Sequence, residues 1–240
     1  MSGPSRGPIC RYIEAQLPAN HAHSRLGRLI PPGLRPVVRE LLHAARVSLA
    51  TRRSRRDTTP LTSPSPRRLH LGSAQVYKQG WINIDQHGPA ADFVWDLRRP
   101  LPLPSGSVDA IFHEHLLEHL PVTEGLALTR ECHRLLRPGG ILRIGVPDFG
   151  RLASGYAHGD DLVDHLHPGV PTPLLALAEL AYGYGHRSLW DEATLVGLLG
   201  ELGFTAHACS FGESALGHAP DSQHRRDETL YVEGTRPDTA

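Results

Sequence analysis

The sequence is poor in cysteine, methionine and aromatic residues, and it lacks any long apolar run. Its 3 cysteines, Cys10, Cys132 and Cys209, are far apart and odd in number. That argues against a disulfide framework and a thiolate metal site, and for a reducing compartment. No stretch approaches ~18 uninterrupted apolar residues, which excludes a spanning helix. The N-terminus, MSGPSRGPICRYIEAQ, has no apolar core of the kind a secretory signal needs. A cytoplasmic protein is expected on both grounds. Net charge is also missing: 25 basic residues balance 25 acidic ones.

What is present suits a soluble chain. With 240 residues, 40% hydrophobic and 21% charged, there is room for one good-sized domain and an appendage. The neutral total hides an asymmetry. Residues 1–70 carry 13 Arg against 3 acids, and the remainder carries 12 basic residues against 22 acids. The two parts are electrostatically different objects.

Residues 1–33 are rich in Pro, Gly, His and Arg, and little regular structure is expected there. Over 34–53 the pattern turns helical. Val37, Val38, Leu41, Leu42, Ala45 and Leu49 share one face, with Arg35, Arg39, Arg46 and Arg52 between them. Such a face packs on the domain or on a second subunit as a homodimer contact, or it attaches to an anionic membrane surface or an acidic partner. No aromatic residues interleave the arginines, so nucleic acid is not expected. Residues 52–67, RRSRRDTTPLTSPSPR, read as an exposed linker. The expected division is therefore a basic extension over 1–67 and a core domain over 68–240.

The core opens as an alternation of short apolar runs. They cover 69–71, 81–84, 93–95, 108–112 and 141–146. Runs this short and this apolar suit strands buried on both faces, hence a parallel sheet. Each run ends in a glycine or a polar group, at the edge where an open α/β sheet binds its ligand. After the first run comes Gly72-Ser73-Ala74, and Asp85 closes the second. A small-residue turn lets backbone amides approach a ligand, and an acid on the next strand accepts ribose hydroxyls. Gly72 and Asp85 are 13 positions apart, where a dinucleotide fingerprint expects ~20. Ala74 also stands where a second glycine would.

His115, Glu118 and His119 spell HxxEH, the inverted zinc-peptidase motif. Pro121 would cut the required helix to about one turn, so no metal is expected and the peptidase is a remote alternative. Residues 130–136 read as a helix, and Arg137-Pro138-Gly139-Gly140 as its stop and a tight turn. Residues 149–190 break the alternation with a His/Asp-rich stretch and a helical LLALAELAYGYG, and read as a lid over the ligand edge. Within it, His158, Asp160, Asp161, Asp164, His165 and His167 read as a solvated polar loop rather than a metal site. A helix over 195–202 and alternating runs over 204–210 and 229–233 close the chain as an antiparallel pair.

The motifs LHLGSA, GWINID, WDL, RPLPLPSGSVDAIF, LLEHLP, RECHRLLRPGGILRIGVPD, YGYGHRSLWDEATLVGLLGELGF and ETLYVEG occur in that order. Together they resemble the class I S-adenosylmethionine-dependent methyltransferases, and within them a bacterial predicted-methyltransferase subgroup with a shortened first glycine loop. The resemblance implies a doubly wound, Rossmann-like sheet of seven strands, mostly parallel with an antiparallel final strand. It implies S-adenosyl-L-methionine as cofactor. It places Gly72, Ser73 and Ala74 at the methionine part, Asp85 at the ribose, and Asp96 with the backbone of Leu97 at the adenine. His113 would follow the fourth strand beside the transferable methyl. His70 and Ala74 depart from the family's pattern. His186, His113 and His115 are the candidate catalytic bases, since histidine titrates near neutrality. The expected function is O-methylation of a small polar acceptor such as a sugar, glycan or secondary metabolite. The alternative is a non-catalytic nucleoside-binding or scaffolding module.

Overall fold

The computed structural model describes residues 67–238 except 87–89, 162–164 and 167, together with Leu34, Val37, Val38, Leu41, Leu42, Ala45, Leu49 and Leu61. The chain forms two units. One combines Met1–Arg46 with Leu152–Tyr184, the other Val47–Arg151 with Gly185–Ala240.

The larger unit is built on seven strands: β1 (Arg68–Leu71), β2 (Ile82–Asp85), β3 (Phe93–Val94), β4 (Val108–Glu114), β5 (Leu136–Pro147), β6 (Thr205–Cys209) and β7 (Thr229–Thr235). They lie in the order β3-β2-β1-β4-β5-β7-β6. The first five are parallel, and β7 runs antiparallel to both β5 and β6. The expected doubly wound sheet is thus the observed one. Leu69, Leu71, Ile84, Ile111, Leu142, Ile144 and Val146 are all buried, because their strands are covered on both faces.

The helices follow from spacing and caps. In α1 (Val122–Leu135), Gly125, Leu128, Thr129, Cys132 and Leu135 are the buried positions, one stripe at helical period. Helix α2 (Phe149–His158) follows β5. In the smaller unit, Thr172 caps α3 (Pro173–Ala178), which continues as one π-helical turn, Glu179–Gly183. Helix α4 (Glu192–Glu201) starts at Asp191, whose carboxylate accepts the Thr194 amide at 2.8 Å.

Three details differ from the sequence expectation. Strand β4 runs on through His113 and Glu114, so His113 lies inside the strand and not after it. The expected tight turn at 137–140 is instead extended backbone of β5, with a register shift opposite Val108 and Ala110. Gly139, at φ +71°, lets that stretch bend while its amide bonds Arg236. Leu61, inside the expected exposed linker, is buried in the core cluster. Along the expected basic helix, the described apolar positions are helical, and Leu41 and Leu42 are 65% and 53% exposed.

Candidate active site

The C-terminal edge of β1 and β2 forms a clasp. The chain leaves Leu71 and turns at Gly72, with φ +70°. The amides of Gly72 and Ser73 both bond the Ile84 carbonyl, at 2.8 and 3.3 Å. The next amide, of Ala74, donates to Asp85 Oδ2 at 2.9 Å. A side chain at Gly72 would come within 2.9 Å of Leu116, so glycine is needed for space as well as for φ. Ala74 has no such licence, yet sits at φ +44°. Such outliers concentrate at functional sites. The Ser73 hydroxyl is buried and has no hydrogen-bond partner among the described residues. An orphaned buried hydroxyl beside a carboxylate is what a polar ligand would satisfy. The clasp therefore fits the methionine and ribose parts of the expected cofactor.

No helix lies between β1 and β2, and one side chain replaces it. Asn83, fully buried in β2, accepts from the Lys78 amide at 2.9 Å and donates to the carbonyls of Lys78 and Trp81 at 3.2 and 3.0 Å. It also bonds Asp92 and His70 Nδ1. Burial pushes the His70 pKa down to about 4, so His70 is neutral and its Nδ1–H donates to Asn83. The asparagine pins a loop too short for a helix.

Asp96 follows β3. The Trp95 amide donates to the Asp85 carbonyl at 2.8 Å, which ties the two strand ends together. The Asp96 carboxylate takes a forked pair of bonds from Arg98, at 2.8 and 3.0 Å. Burial works to raise its pKa, but the Arg98 bonds outweigh it and hold the carboxyl below the usual range. Leu97 packs against the core cluster.

At the end of β4 three consecutive polar residues behave differently. His113 is fully buried, neither ring nitrogen is hydrogen-bonded among the described residues, and burial lowers its pKa to about 4. Glu114 accepts from the Ser222 amide at 3.0 Å and from Tyr231 Oη at 2.8 Å. His115 has φ +51°. Its Nε2 meets Thr229 Oγ1 at 2.9 Å, and its Nδ1 lies 3.2 Å from both the Arg225 guanidinium and Glu118 Oε1.

The HxxEH residues do not share a helix face. Only Leu117–His119 is helical, as a single 3-10 turn. An extended segment leading into Trp190 packs beside it: the amides of Arg187 and Ser188 donate to the Glu118 carbonyl at 2.7 and 3.1 Å. Ser188 Oγ donates to the Leu117 carbonyl and accepts from Trp190 Nε1. This places the His186 ring 5.0 Å from that of His119, edge to face. Of the three candidate bases, His115 reaches Glu118 and His186 reaches His119, so one short turn joins them. His113 touches the group through the charge of Glu118. In the His/Asp-rich stretch, His158 Nδ1 bonds the Ser154 carbonyl, while Asp164 and His167 lie outside the described residues.

Sequence reading missed Asn83 and Arg143. Arg143 is fully buried in β5 and binds Asp221 at 2.6 Å and Glu233 at 2.9 Å. The signal was one arginine inside the apolar run ILRIGV. Beyond Glu233, a cleft of about 550 Å³ is lined by Asp148, Glu192, His207, Cys209 and Tyr231 among others. It lies along β6 and β7, away from the clasp.

The family described as Methyltransferase domain matches residues 68–144. That stretch runs from β1 into β5 and contains every expected cofactor residue. An uncharacterized 37.1 kDa protein in transposon TN4556 of Streptomyces fradiae is 32% identical over 94 residues, 39% of this chain and 27% of that one. The chain thus spans little more than a quarter of that relative's length. A SAM-dependent methyltransferase from Archaeoglobus fulgidus is 16% identical, over 79% of this chain and 94% of that one, with a TM-score of 0.43. An S-adenosylmethionine-dependent methyltransferase from Mesorhizobium loti is 18% identical over 72% and 94%, also at 0.43. The family match lies on the strands that carry the Gly72–Asp85 clasp, so over residues 68–144 this chain is similar to that methyltransferase domain.

Proposed function

We propose that the protein transfers a methyl group from S-adenosylmethionine to an oxygen of a small polar acceptor, such as a sugar, a glycan or a secondary metabolite. The observation that carries the reading is the clasp between Ala74 and Asp85 beside the orphaned Ser73 hydroxyl. When bound, the cofactor supplies a sulfonium methyl already activated for transfer. The chain's part is to hold, align and dry the site. The turn at 72–74 brings backbone close to the methionine part, and Asp85 accepts from the ribose. Asp96 is engaged by Arg98, so the backbone of Leu97 takes the adenine end unless Arg98 lets go.

Proton removal falls to the histidines around Glu118. His113 is sealed from solvent and pushed to about 4, which leaves it to pack beside the cofactor. Both nitrogens of His115 face protein groups. His186 is half-buried at the rim, within reach of an acceptor entering from solvent. The His/Asp-rich stretch over 149–190 and the low aromatic content support a polar acceptor. Calorimetry with S-adenosylhomocysteine, then labelled methyl transfer to a panel of sugars, glycans and metabolites, tests the reading. Binding without transfer to any acceptor would favour the nucleoside-binding module.

The described residues contain no helix long and apolar enough to cross a membrane. Exposed Leu41, Leu42 and Leu49 support peripheral contact through 34–53, with an anionic membrane or in a homodimer. Co-sedimentation with anionic vesicles against sedimentation alone separates the two.

A further inference from the structure

We propose that Glu118, His119 and His186 bind one first-row divalent cation of the zinc type. One ligand atom from each lies within 4.8 Å of the other two. A tetrahedral ion with bonds of about 2.0–2.1 Å holds its ligands roughly 3.4 Å apart, a closure that side-chain rotation provides. Two imidazoles and one carboxylate suit a borderline ion such as zinc rather than calcium or magnesium.

The second observation is Glu118 itself. Its side chain is 2% exposed, and both carboxylate oxygens are without a hydrogen-bond partner among the described residues. A buried unpaired carboxylate is costly, and such groups are normally paired with a cation or a metal. His115 Nδ1 is 3.2 Å away, but it is also 3.2 Å from Arg225 Nη1, a group that only donates. When Nδ1 accepts from Arg225 its proton sits on Nε2, toward Thr229, and His115 has nothing to give Glu118. The backbone on either side is fixed: the Glu118 carbonyl is bonded by Arg187 and Ser188, so the turn and the segment carrying His186 are held together. His119 is exposed and His186 half-buried, so an ion there keeps an open position toward solvent. Three protein ligands and an open position are the form of a catalytic site. An acceptor hydroxyl on that position would lose its proton to solvent more readily, the ion then replacing His186 as the group that assists proton removal, a use that rests on the methyltransferase reading. The cation site itself does not.

The test uses full-length, untagged protein stripped with chelator and titrated with zinc by calorimetry. One ion per chain at micromolar Kd or tighter is expected. His186→Ala should weaken it at least about tenfold. Cobalt in place of zinc should give the visible absorption of a low-coordinate site, absent in the variant. S-adenosylhomocysteine binding is measured on the same wild-type samples, so loss of the metal proposal and loss of the methyltransferase reading are told apart. Absence of stoichiometric zinc would overturn the site. So would equally tight binding by a folded His119→Ala/His186→Ala double variant, which would assign the ion to others of the 16 histidines.

Discussion

Asp85 Oδ2 accepts the amide of Ala74 at 2.9 Å, so the carboxylate that ends β2 holds the turn that ends β1. Asp85→Ala removes the anchor of the turn and, on the proposed function, the acceptor for the ribose. S-adenosylhomocysteine binding should weaken by roughly one to two orders of magnitude, since bonds to a charged group are worth about 1.5–3 kcal/mol. Urea unfolding should show a loss of about 1–2 kcal/mol for the orphaned amide. Asp85→Asn keeps one acceptor and should be milder in both. Normal binding by Asp85→Ala would remove this residue from the cofactor site.

Ala74 holds φ +44° with an exposed methyl. The left-handed region costs a non-glycine residue about 1–2 kcal/mol, and glycine's extra entropy costs roughly 0.5–1. Ala74→Gly should therefore stabilise the domain by up to about 1 kcal/mol. It should leave S-adenosylhomocysteine affinity equal or better. A loss of stability would mean that the methyl makes a contact worth more than the strain.

The sheet was legible because buried parallel strands write themselves as short apolar runs, and the ligand edge because the residues after them are acids and glycines. Strand β4 was read two residues short since His113 and Glu114 look like loop. They stay in the strand because His113 is buried and Glu114 is bonded by Tyr231 and Ser222. The bend at 137–140 was read as a turn because Pro-Gly-Gly writes one. Tertiary pairing of Leu136 with Val108 and of Gly139 with Arg236 stretches it into strand. Of the site, Gly72, Ala74 and Asp85 could be placed from strand ends alone. The meeting of Glu118 and His119 with His186 could not, because no local pattern links segments so far apart. Nor could the Arg98 grip on Asp96, since two adjacent arginines read as a solvated loop.

Arg143 is the charge on which the far half of the sheet depends. It neutralises Asp221 and Glu233 while fully buried, and its Nη1 also meets Cys209 Sγ at 3.0 Å. Arg143→Met keeps the apolar stem but leaves two buried carboxylates unpaired. Breaking a buried pair from one side costs about 3–5 kcal/mol, so denaturant unfolding should show at least that loss. Cofactor affinity measured on the folded fraction should change little, because the clasp lies on β1 and β2. A loss below about 1 kcal/mol would show that the carboxylates find water or protons instead.

Acid should weaken this fold through two histidines before it reaches the carboxylates. Burial lowers His70 and His113 to about 4 from the ordinary 6.5. For His70, the Asn83 bond, Glu114 and Asp85 pull upward and Lys78 downward; for His113, Glu118 pulls upward and His70 downward. The neutral rings are thus the folded forms, and the unfolded chain takes up protons first. Stability is full above pH 6.5 and falls as pH drops from 6.5 toward 4, where the folded rings also titrate. Each tenfold loss of proton affinity on folding corresponds to about 1.4 kcal/mol, so the two rings together account for several kcal/mol over that window. Glu114 and Asp96 act in the same direction but lower, because their pKa values lie below the ordinary carboxylate range. His70→Asn keeps a polar group facing Asn83 and does not titrate. It should remove about half of the decline in urea midpoint between pH 6.5 and 4. It should leave the decline at still lower pH intact. If the variant follows the wild-type curve across the upper window, the acid sensitivity there does not come from His70.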